Sequence, residues 1–226
     1  VISYEEKTPL KDLTLDNLFI DIGAKDAEEA RKLVQIGDFA VYEAPRFEQN
    51  GVLCGPYLDN RIGCVTLLLM MEQLADKEIE NDLYFVFTAQ EEVGLRGAGA
   101  AAFAVEPDAA IAVDVTDTGD LPEMKSAMAV ELGKGPAVKV MDRSVICTPA
   151  VVDALEQAAK DCGVSAQREI LLCGGTDTSA LQKARAGVQA GAVSIPTRYI
   201  HSPSELCAVS DVEDAAKLLA QYALRK

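Results

Sequence analysis

Four acidic residues and one histidine stand where strands and helices of this chain are expected to begin or end. They are Asp59 in GPYLDNRIG, Glu91 and Glu92 in FTAQEEVGLRGA, Asp114 in AIAVDVTDTGD, and the only histidine, His201, in IPTRYIHSPSE. Carboxylates and an imidazole form a mixed oxygen and nitrogen ligand set that suits zinc, cobalt or manganese. The pattern therefore predicts a metal site.

Each of these residues also has an ordinary structural interpretation. Asp59 suits the N-cap of a helix, since aspartate is a favoured cap residue. Glu91 and Glu92 suit an exposed acidic loop, although the nearby glycines 94, 97 and 99 disfavour an ordinary solvated helix. A lone histidine is more often a structural residue than a ligand. For His201 the surrounding pattern favours the ligand.

Asp114 follows a run of apolar residues, and a charge in that position needs a partner if it is buried. We therefore favour a functional role for Asp114, whereas Asp117 and Asp120 suit simple turns. Because adjacent side chains diverge, one of Glu91 and Glu92 can bind a metal while the other faces an attacking water. A carboxylate that bridges two ions about 3.5–4 Å apart completes a hydrolase arrangement.

The elements that must position these residues follow from the hydrophobic pattern. From Leu58 onward apolar strands alternate with helices, which predicts a layered α/β domain with a mainly parallel or mixed sheet. Strands are predicted at 83–89, 109–115, 137–141, 168–172 and 187–195, and helices at 61–75, 149–162, 178–186 and 212–224. Thr148 before Pro149 suits an N-cap followed by proline at the first helical position.

The first quarter of the chain has a different character. Strands predicted at 18–22 and 38–42 and a short helix at 25–33 indicate a small β-rich module. The sequence thus predicts two parts, the β-rich module at residues 1–56 and the α/β domain at residues 57–226.

Charge and composition exclude several classes of function. The formal net charge of −15 repels phosphate backbones and argues against nucleic-acid binding. The longest apolar run, around residues 65–71, is far short of the roughly 20 residues that a membrane span requires. The six cysteines form no CxxC pair, so we expect reduced thiols in a cytoplasmic protein.

Six strings in order carry a resemblance to a known family: LFIDIGAKDAEEA, LDNRIGC, TAQEEVGLRGA, AVDVTDTGD, GGTDTSAL and IPTRYIHSPSE. Together they resemble the tetrahedral, or glutamyl, aminopeptidases, co-catalytic metallopeptidases that are also named endoglucanases. Several strings in order are more specific than any one of them. The resemblance implies a three-layer zinc-peptidase-like domain with part of a small β-barrel dimerisation domain.

The resemblance also implies a role for each site residue. Asp59 matches the aspartate that bridges two divalent ions, and Glu91 matches the general base that takes a proton from the attacking water. Glu92 and His201 match the other ligands of one ion, and Asp114 matches a ligand of the second. The loop Gly174, Gly175, Thr176 and Asp177 matches a loop near the substrate cleft, to which we assign no catalytic role.

One family feature is missing from this sequence. The remaining family ligand is a histidine in a His-x-Asp string ahead of the β-rich module, and this chain has neither the string nor a second histidine. By resemblance the N-terminal part of the catalytic domain is missing. We therefore expect one metal ion to bind at Asp59, Glu92 and His201. A second ion should bind only weakly at the position built on Asp59 and Asp114. This chain alone can therefore be inactive.

The resulting hypothesis is a metal-dependent aminopeptidase that acts on short peptides and assembles as a homo-oligomer. A deacylase or glycan-directed enzyme is an alternative, since one fold and one metal chemistry serve several substrates. A non-catalytic assembly or binding subunit is another, because the family histidine is absent. A third is structural binding of calcium or magnesium, against which His201 argues.

Overall fold

The computed structural model describes residues 2–4, 10–122 and 128–225, which form two compact units, residues 1–41 and 42–226. The first unit holds β1 (Ile2–Tyr4), β2 (Leu18–Ile20) and α1 (Ala27–Leu33), with β1 antiparallel to β2. Helix α1 begins after Asp26, whose side chain accepts the backbone N–H groups of Glu28 and Glu29 at 2.9 Å. This N-cap explains why the helix starts two residues later than predicted.

The second unit holds the remaining elements. The strands are β3 (Phe47–Gln49), β4 (Val52–Gly55), β5 (Ala109–Thr116), β6 (Ala137–Met141), β7 (Gln167–Ile170), β8 (Gln189–Arg198) and β9 (Glu205–Ala208). The helices are α2 (Leu58–Leu74), α3 (Arg96–Val105), α4 (Pro149–Asp161), α5 (Thr178–Gln182) and α6 (Val209–Ala223).

Strand β8 is the centre of a mixed sheet. It pairs in parallel with β5, antiparallel with β6 and, beyond residue 196, antiparallel with β9. The sheet continues from β6 to β7 on one side and from β9 through β4 to β3 on the other. Since the parallel strands β5 and β8 end at the same edge, the residues that follow them come close together.

The two faces of the sheet differ in polarity. Residues 113 and 115 of β5, 193 and 195 of β8 and 138 of β6 are apolar and pack into the main core with α2, α4 and α6. Helices α3 and α5 pack on the other face, around Ala102, Ala110 and Val188. The expected three-layer α/β architecture is confirmed.

The face under α3 and α5 carries buried polar side chains. Alternation along each strand and the register between the strands place five of them there: Asp114, Thr116, Ser194, Lys139 and Glu169. Lys139 is fully buried and forms an ion pair with Glu169, whose carboxylate also accepts the Thr116 hydroxyl at 3.0 Å. A buried ammonium requires such partners, so this pair fixes β5, β6 and β7 against one another.

Most of the predicted elements are present, and two are not. Residues 83–89 and 38–42 form no strand in the described part of the chain, so both of those predictions were wrong. A strand exists only through hydrogen bonds to a neighbouring strand, and no described strand pairs with either segment. Leu83 and Phe85 pack against the core, while Tyr84 and Phe87 are exposed.

Helix α4 begins as predicted, with Thr148 before Pro149. The Thr148 hydroxyl accepts the N–H of Ala190 at 3.1 Å, so the side chain of this cap residue bonds to β8, while its backbone carbonyl accepts N–H groups of its own helix. No helix in residues 2–4, 10–122 and 128–225 is long and apolar enough to cross a membrane.

Candidate functional site

Asp59 lies in an irregular first turn of α2. Tyr57 has a left-handed backbone (φ 63°), Asp59 and Asn60 have non-helical φ and ψ, and the peptide bond between them is cis. The regular helix starts at the next residue, where the Asn60 side chain accepts the N–H of Gly63 at 3.1 Å in the manner of an N-cap. Asp59 therefore does not serve as the helix cap, and its carboxylate is available for other contacts.

Asn60 also joins this turn to the sheet. Its side-chain amide donates to the carbonyl of Val113 at 2.8 Å, next to Asp114 on β5. A Cβ on Gly63 would lie 2.2 Å from the Asn60 side-chain oxygen and 2.9 Å from the Val113 carbonyl oxygen. Only glycine leaves room at this position for the Asn60 side chain and the Val113 carbonyl. Asn60 and Gly63 together therefore set how closely the Asp59 turn approaches β5.

Glu91 and Glu92 lie in a tight turn before α3. The Glu91 carbonyl accepts the N–H groups of Gly94 at 3.0 Å and Leu95 at 2.8 Å. At Gly97 a Cβ would lie 2.7 Å from the backbone nitrogen of Ala89, so a glycine is required where α3 approaches the preceding segment. The glycines that follow the two glutamates thus shape the turn that holds them.

His201 lies in the loop between β8 and β9, where its own backbone and that of Tyr199 are left-handed. Its Nε2 is 3.0 Å from Oδ2 of Asp59 and 3.2 Å from Oε1 of Glu92. The side chain of Asp59 is 13% exposed, whereas those of Glu92 and His201 are 60% and 67% exposed. The three residues therefore form a cluster that is closed at Asp59 and open to solvent at the histidine.

This cluster fits a transition-metal ion. One ligand atom from each residue lies within 4.8 Å of the others. A tetrahedral ion with bonds of about 2.0–2.2 Å places neighbouring ligand atoms about 3.3–3.6 Å apart, close to the two distances measured from His201. Two carboxylate oxygens and one imidazole nitrogen also match the donor types that zinc and cobalt accept.

The acids of the site hold protons more tightly than usual. Burial, and then the charges of Asp177, Glu92 and Asp59, raise the pKa of Glu91 to about 7. Burial, followed by the charge of Glu92, raises the pKa of Asp59 to about 6. Several carboxylates packed together disfavour full ionisation, which is the electrostatic setting that a divalent cation relieves.

Asp114 lies apart from the three-residue cluster but within its electrostatic field. It is buried on β5, where one of its oxygens accepts the N–H of Val115 at 2.9 Å. Burial, followed by the charges of Asp59, Glu91 and Asp177, raises its pKa well above the ordinary value. The structure thus brings Asp59, Glu92 and His201 together and leaves Asp114 on the sheet beside them.

The structure adds one carboxylate that the sequence reasoning left without a role. Asp177 precedes α5, and its Oδ2 accepts the hydroxyl of Thr88 at 2.6 Å. Its charge contributes to the raised pKa of both Glu91 and Asp114. An acid two residues after a pair of glycines and directly before a helix was the available signal, but a helix start explains that pattern equally well.

Asp120 was predicted to be a turn residue, and it makes a specific ion pair. Both of its oxygens accept N–H groups of Arg198, at 3.1 and 2.6 Å, and one also accepts the N–H of Leu132 at 3.1 Å. Burial opposes ionisation, but the hydrogen bonds from Arg198 and Leu132 and the charge of Arg198 prevail and lower the pKa of Asp120 to about 2. The pair links the loop after β5 to the end of β8.

Comparison with known proteins places this chain in a family. The model of the M42 glutamyl aminopeptidase family matches residues 2–218. A relative from Acetivibrio thermocellus is 48% identical over 221 residues, which are 97% of this chain and 66% of the relative.

Solved structures agree with that match. An aminopeptidase from the archaeon Desulfurococcus kamchatkensis superposes with a TM-score of 0.94 at 35% identity, covering 100% of this chain and 64% of that one. The TET1 peptidase of Pyrococcus horikoshii, which can assemble into a tetrahedron or a large octahedral shell, superposes with a TM-score of 0.85 at 34% identity, covering 98% and 64%. The chain thus spans just under two thirds of the length of these proteins.

Proposed function

Since the chain belongs to the M42 glutamyl aminopeptidase family, we propose that it supplies the metal-binding residues of a metal-dependent aminopeptidase that removes N-terminal residues from short peptides. The position of the His201 imidazole, between the carboxylates of Asp59 and Glu92, carries the proposal. The same fold and metal chemistry could also hydrolyse acylated amines or glycans. An assay on all three substrate classes distinguishes these alternatives.

We assign the residues as follows. Asp59, Glu92 and His201 hold one divalent ion, zinc or cobalt by their donor types and manganese as a further candidate. Asp59 and Asp114 supply part of a second position. Because the chain has a single histidine, the second position has no imidazole from these residues. We therefore expect one firmly bound ion per chain and a second that binds weakly.

Glu91 acts as the general base. Its carboxyl is close enough to Asp59, Glu92 and His201 for their charges to act on it, and a glutamate that faces the attacking water can accept its proton. It takes the proton of the attacking water and passes it to the leaving amine. A divalent ion, when bound, supplies the Lewis acid that polarises the scissile carbonyl.

The assay compares wild type with Glu91→Gln, each loaded with Co²⁺, on aminoacyl p-nitroanilides, an acetylated amine and a cellulose derivative. It uses the 226-residue chain and, if the reading frame is longer, the full-length product. We expect release of nitroaniline alone, and a loss of about 10²–10⁴-fold in Glu91→Gln. Equal rates for wild type and Glu91→Gln would remove the proposed mechanism.

A non-catalytic assembly subunit is the second candidate, because of the single histidine. If the full-length product binds no transition metal and hydrolyses none of these substrates, this candidate replaces the enzyme. The presence of Glu91 argues against it, since a binding subunit has no need of a general base.

We further propose that residues 1–56 belong to a dimerisation module, that residues 57–226 belong to the catalytic domain, and that the protein is a homo-oligomer. Large apolar side chains at Leu15, Ile36, Phe39 and Val41 are strongly exposed, which suits a surface covered by another copy. The six cysteines are all free, which suits the cytoplasm as the compartment.

A further inference from the structure

Glu205 makes contact with the backbone of two proposed metal ligands at once. Its Oε2 accepts the N–H of Asp59 at 3.0 Å, and its Oε1 accepts the N–H of His201 at 2.9 Å. The residue is 2% exposed. A single buried carboxylate thus holds the main chain of Asp59 and that of His201, which come from distant parts of the sequence.

The sheet holds Glu205 in place. It is the first residue of β9, where it pairs with Gly55 of β4, and Leu206 pairs with Arg198 of β8. Its backbone is therefore fixed from both sides. The carboxylate reaches from this rigid position to the irregular turn at Asp59 and to the left-handed loop at His201.

Neither ligand is held by regular secondary structure of its own. Asp59 has non-helical φ and ψ, and His201 has φ 63° in a loop. The distance between their side chains therefore depends on contacts made by their backbones. A bound metal tolerates little error in ligand positions, and groups that orient the ligands commonly affect metal affinity.

We propose that Glu205 is a positioning residue of the metal site, which sets the separation of Asp59 and His201 by accepting both backbone N–H groups. This inference rests on the proposed metal-binding function. The carboxylate itself stays outside the ligand set, because both of its oxygens face N–H groups. Glutamine cannot replace Glu205. Its side-chain NH₂ group would face one of the two backbone N–H donors, and an NH₂ group cannot accept that hydrogen bond.

Asp211 provides a matched control. It is 1% exposed, lies in the first turn of α6, and accepts two backbone N–H groups, those of Gly133 at 2.7 Å and Gly135 at 2.9 Å. It thus makes the same kind of contact as Glu205 but holds a loop that carries none of the proposed ligands. Asp211→Asn reports the structural cost of removing such a carboxylate.

The experiment measures Co²⁺ affinity and the visible absorption spectrum of the Co²⁺ form in wild type, Glu205→Gln and Asp211→Asn. Thermal unfolding of the metal-free proteins is measured alongside, and His201→Ala reports binding elsewhere, such as at thiols. We expect both test variants to lose stability. Only Glu205→Gln should bind Co²⁺ about 10–100-fold more weakly, with altered cobalt absorption bands.

Glu205→Asp serves as a second variant, because it retains the charge but reaches only one N–H group. If Glu205→Gln shows no cooperative thermal unfolding, and so is not folded, the affinity measurement uses Glu205→Asp instead. Equal Co²⁺ affinity and an unchanged spectrum in the folded Glu205 variant would overturn the proposal. Absence of Co²⁺ binding in wild type would overturn the proposed metal site itself, so the two failures are distinguishable.

Discussion

The hydroxyl of Thr88 donates a 2.6 Å hydrogen bond to Asp177, so the segment just before Glu91 is tied to the start of α5. The other oxygen of Asp177 is buried and has no hydrogen-bond partner among the described residues. Burial raises the pKa of Asp177 itself, and the hydrogen bond from Thr88 opposes that rise and stabilises the charge close to Glu91.

From that contact we expect Asp177→Asn to lower the pKa of Glu91. Burial is the largest cause of the raised value, and the charge of Asp177 is the next. Removing the charge should therefore shift the titration of Glu91 from about 7 toward its ordinary value without reaching it. Carbon-13 NMR titration of the metal-free protein measures the shift, with Glu91→Gln to assign the signal. An unchanged midpoint would exclude Asp177 as a cause.

The stability of the metal-free protein should fall as the pH rises. A carboxyl whose pKa is about 7 in the folded chain but near 4.5 when unfolded keeps a proton that the unfolded chain has released. The folded state is therefore penalised progressively between about pH 4.5 and 7, and the penalty is complete above that range. Glu91→Gln removes this contribution. Urea unfolding should show wild type losing more stability than Glu91→Gln between pH 5 and 8, and parallel profiles would contradict the prediction.

The preference of the site for particular metal ions should depend on the imidazole of His201. Because His201 supplies a nitrogen ligand, wild type should prefer Zn²⁺ and Co²⁺ over Ca²⁺ and Mg²⁺, which favour oxygen ligands. We expect His201→Ala to lose at least 100-fold in Zn²⁺ affinity, by analogy with the loss that weaker supporting groups produce. Competition titration with a zinc indicator measures it. Unchanged affinity in His201→Ala would favour structural binding of calcium or magnesium by the acids.

Gly63→Ala should separate the Asp59 turn from β5. The added Cβ would lie 2.2 Å from the Asn60 side-chain oxygen, so that side chain must move and weaken its bond to Val113. We expect a loss of about 1–3 kcal/mol in stability, as overpacking commonly produces. Gly99→Ala in α3 is the control, because a Cβ there meets nothing within 4 Å. That variant should gain about 0.5–1 kcal/mol, and equal effects would contradict the close approach.

The exposed apolar residues of the first unit should govern assembly. Introducing charges with the double variant Ile36→Glu and Phe39→Glu places them on a surface that association would bury, so the oligomer should dissociate. Light scattering measures the mass. Leu172→Glu, an exposed apolar position in the second unit, serves as the control and should leave the mass unchanged. A monomeric wild type would contradict the proposed assembly.

Local patterns predicted most of the long helices and core strands, but not α3, whose Gly97 and Gly99 argued against a helix, nor the short strands β3, β4 and β9. Buried residues 62, 66, 70 and 74 of α2 recur every four positions, as an amphipathic helix requires. The strand predicted at 137–141 has the observed bounds of β6. These elements are determined by short-range periodicity and by the burial of one face, both of which the sequence displays.

The failures concern contacts between distant residues. The apolar run at 83–89 has the composition of a strand, but pairing decides whether a strand forms. The roles of Asn60, Asp177 and Glu205 depend on which backbone groups face their side chains. The sequence motifs around these residues were recognisable. Their hydrogen bonds join residues that are distant in the sequence, so they could be found only in the folded chain.

The hydrogen bond from Asp59 to Glu205 spans 146 residues, and this has a consequence for biosynthesis. A ribosome must have passed residue 205 before the carboxylate that holds Asp59 and His201 exists. A nascent chain that ends between His201 and Glu205 therefore has both ligands but lacks the carboxylate that we propose sets their separation. Tight metal loading should follow synthesis of Glu205, and a product that ends before His201 would lack the histidine ligand altogether.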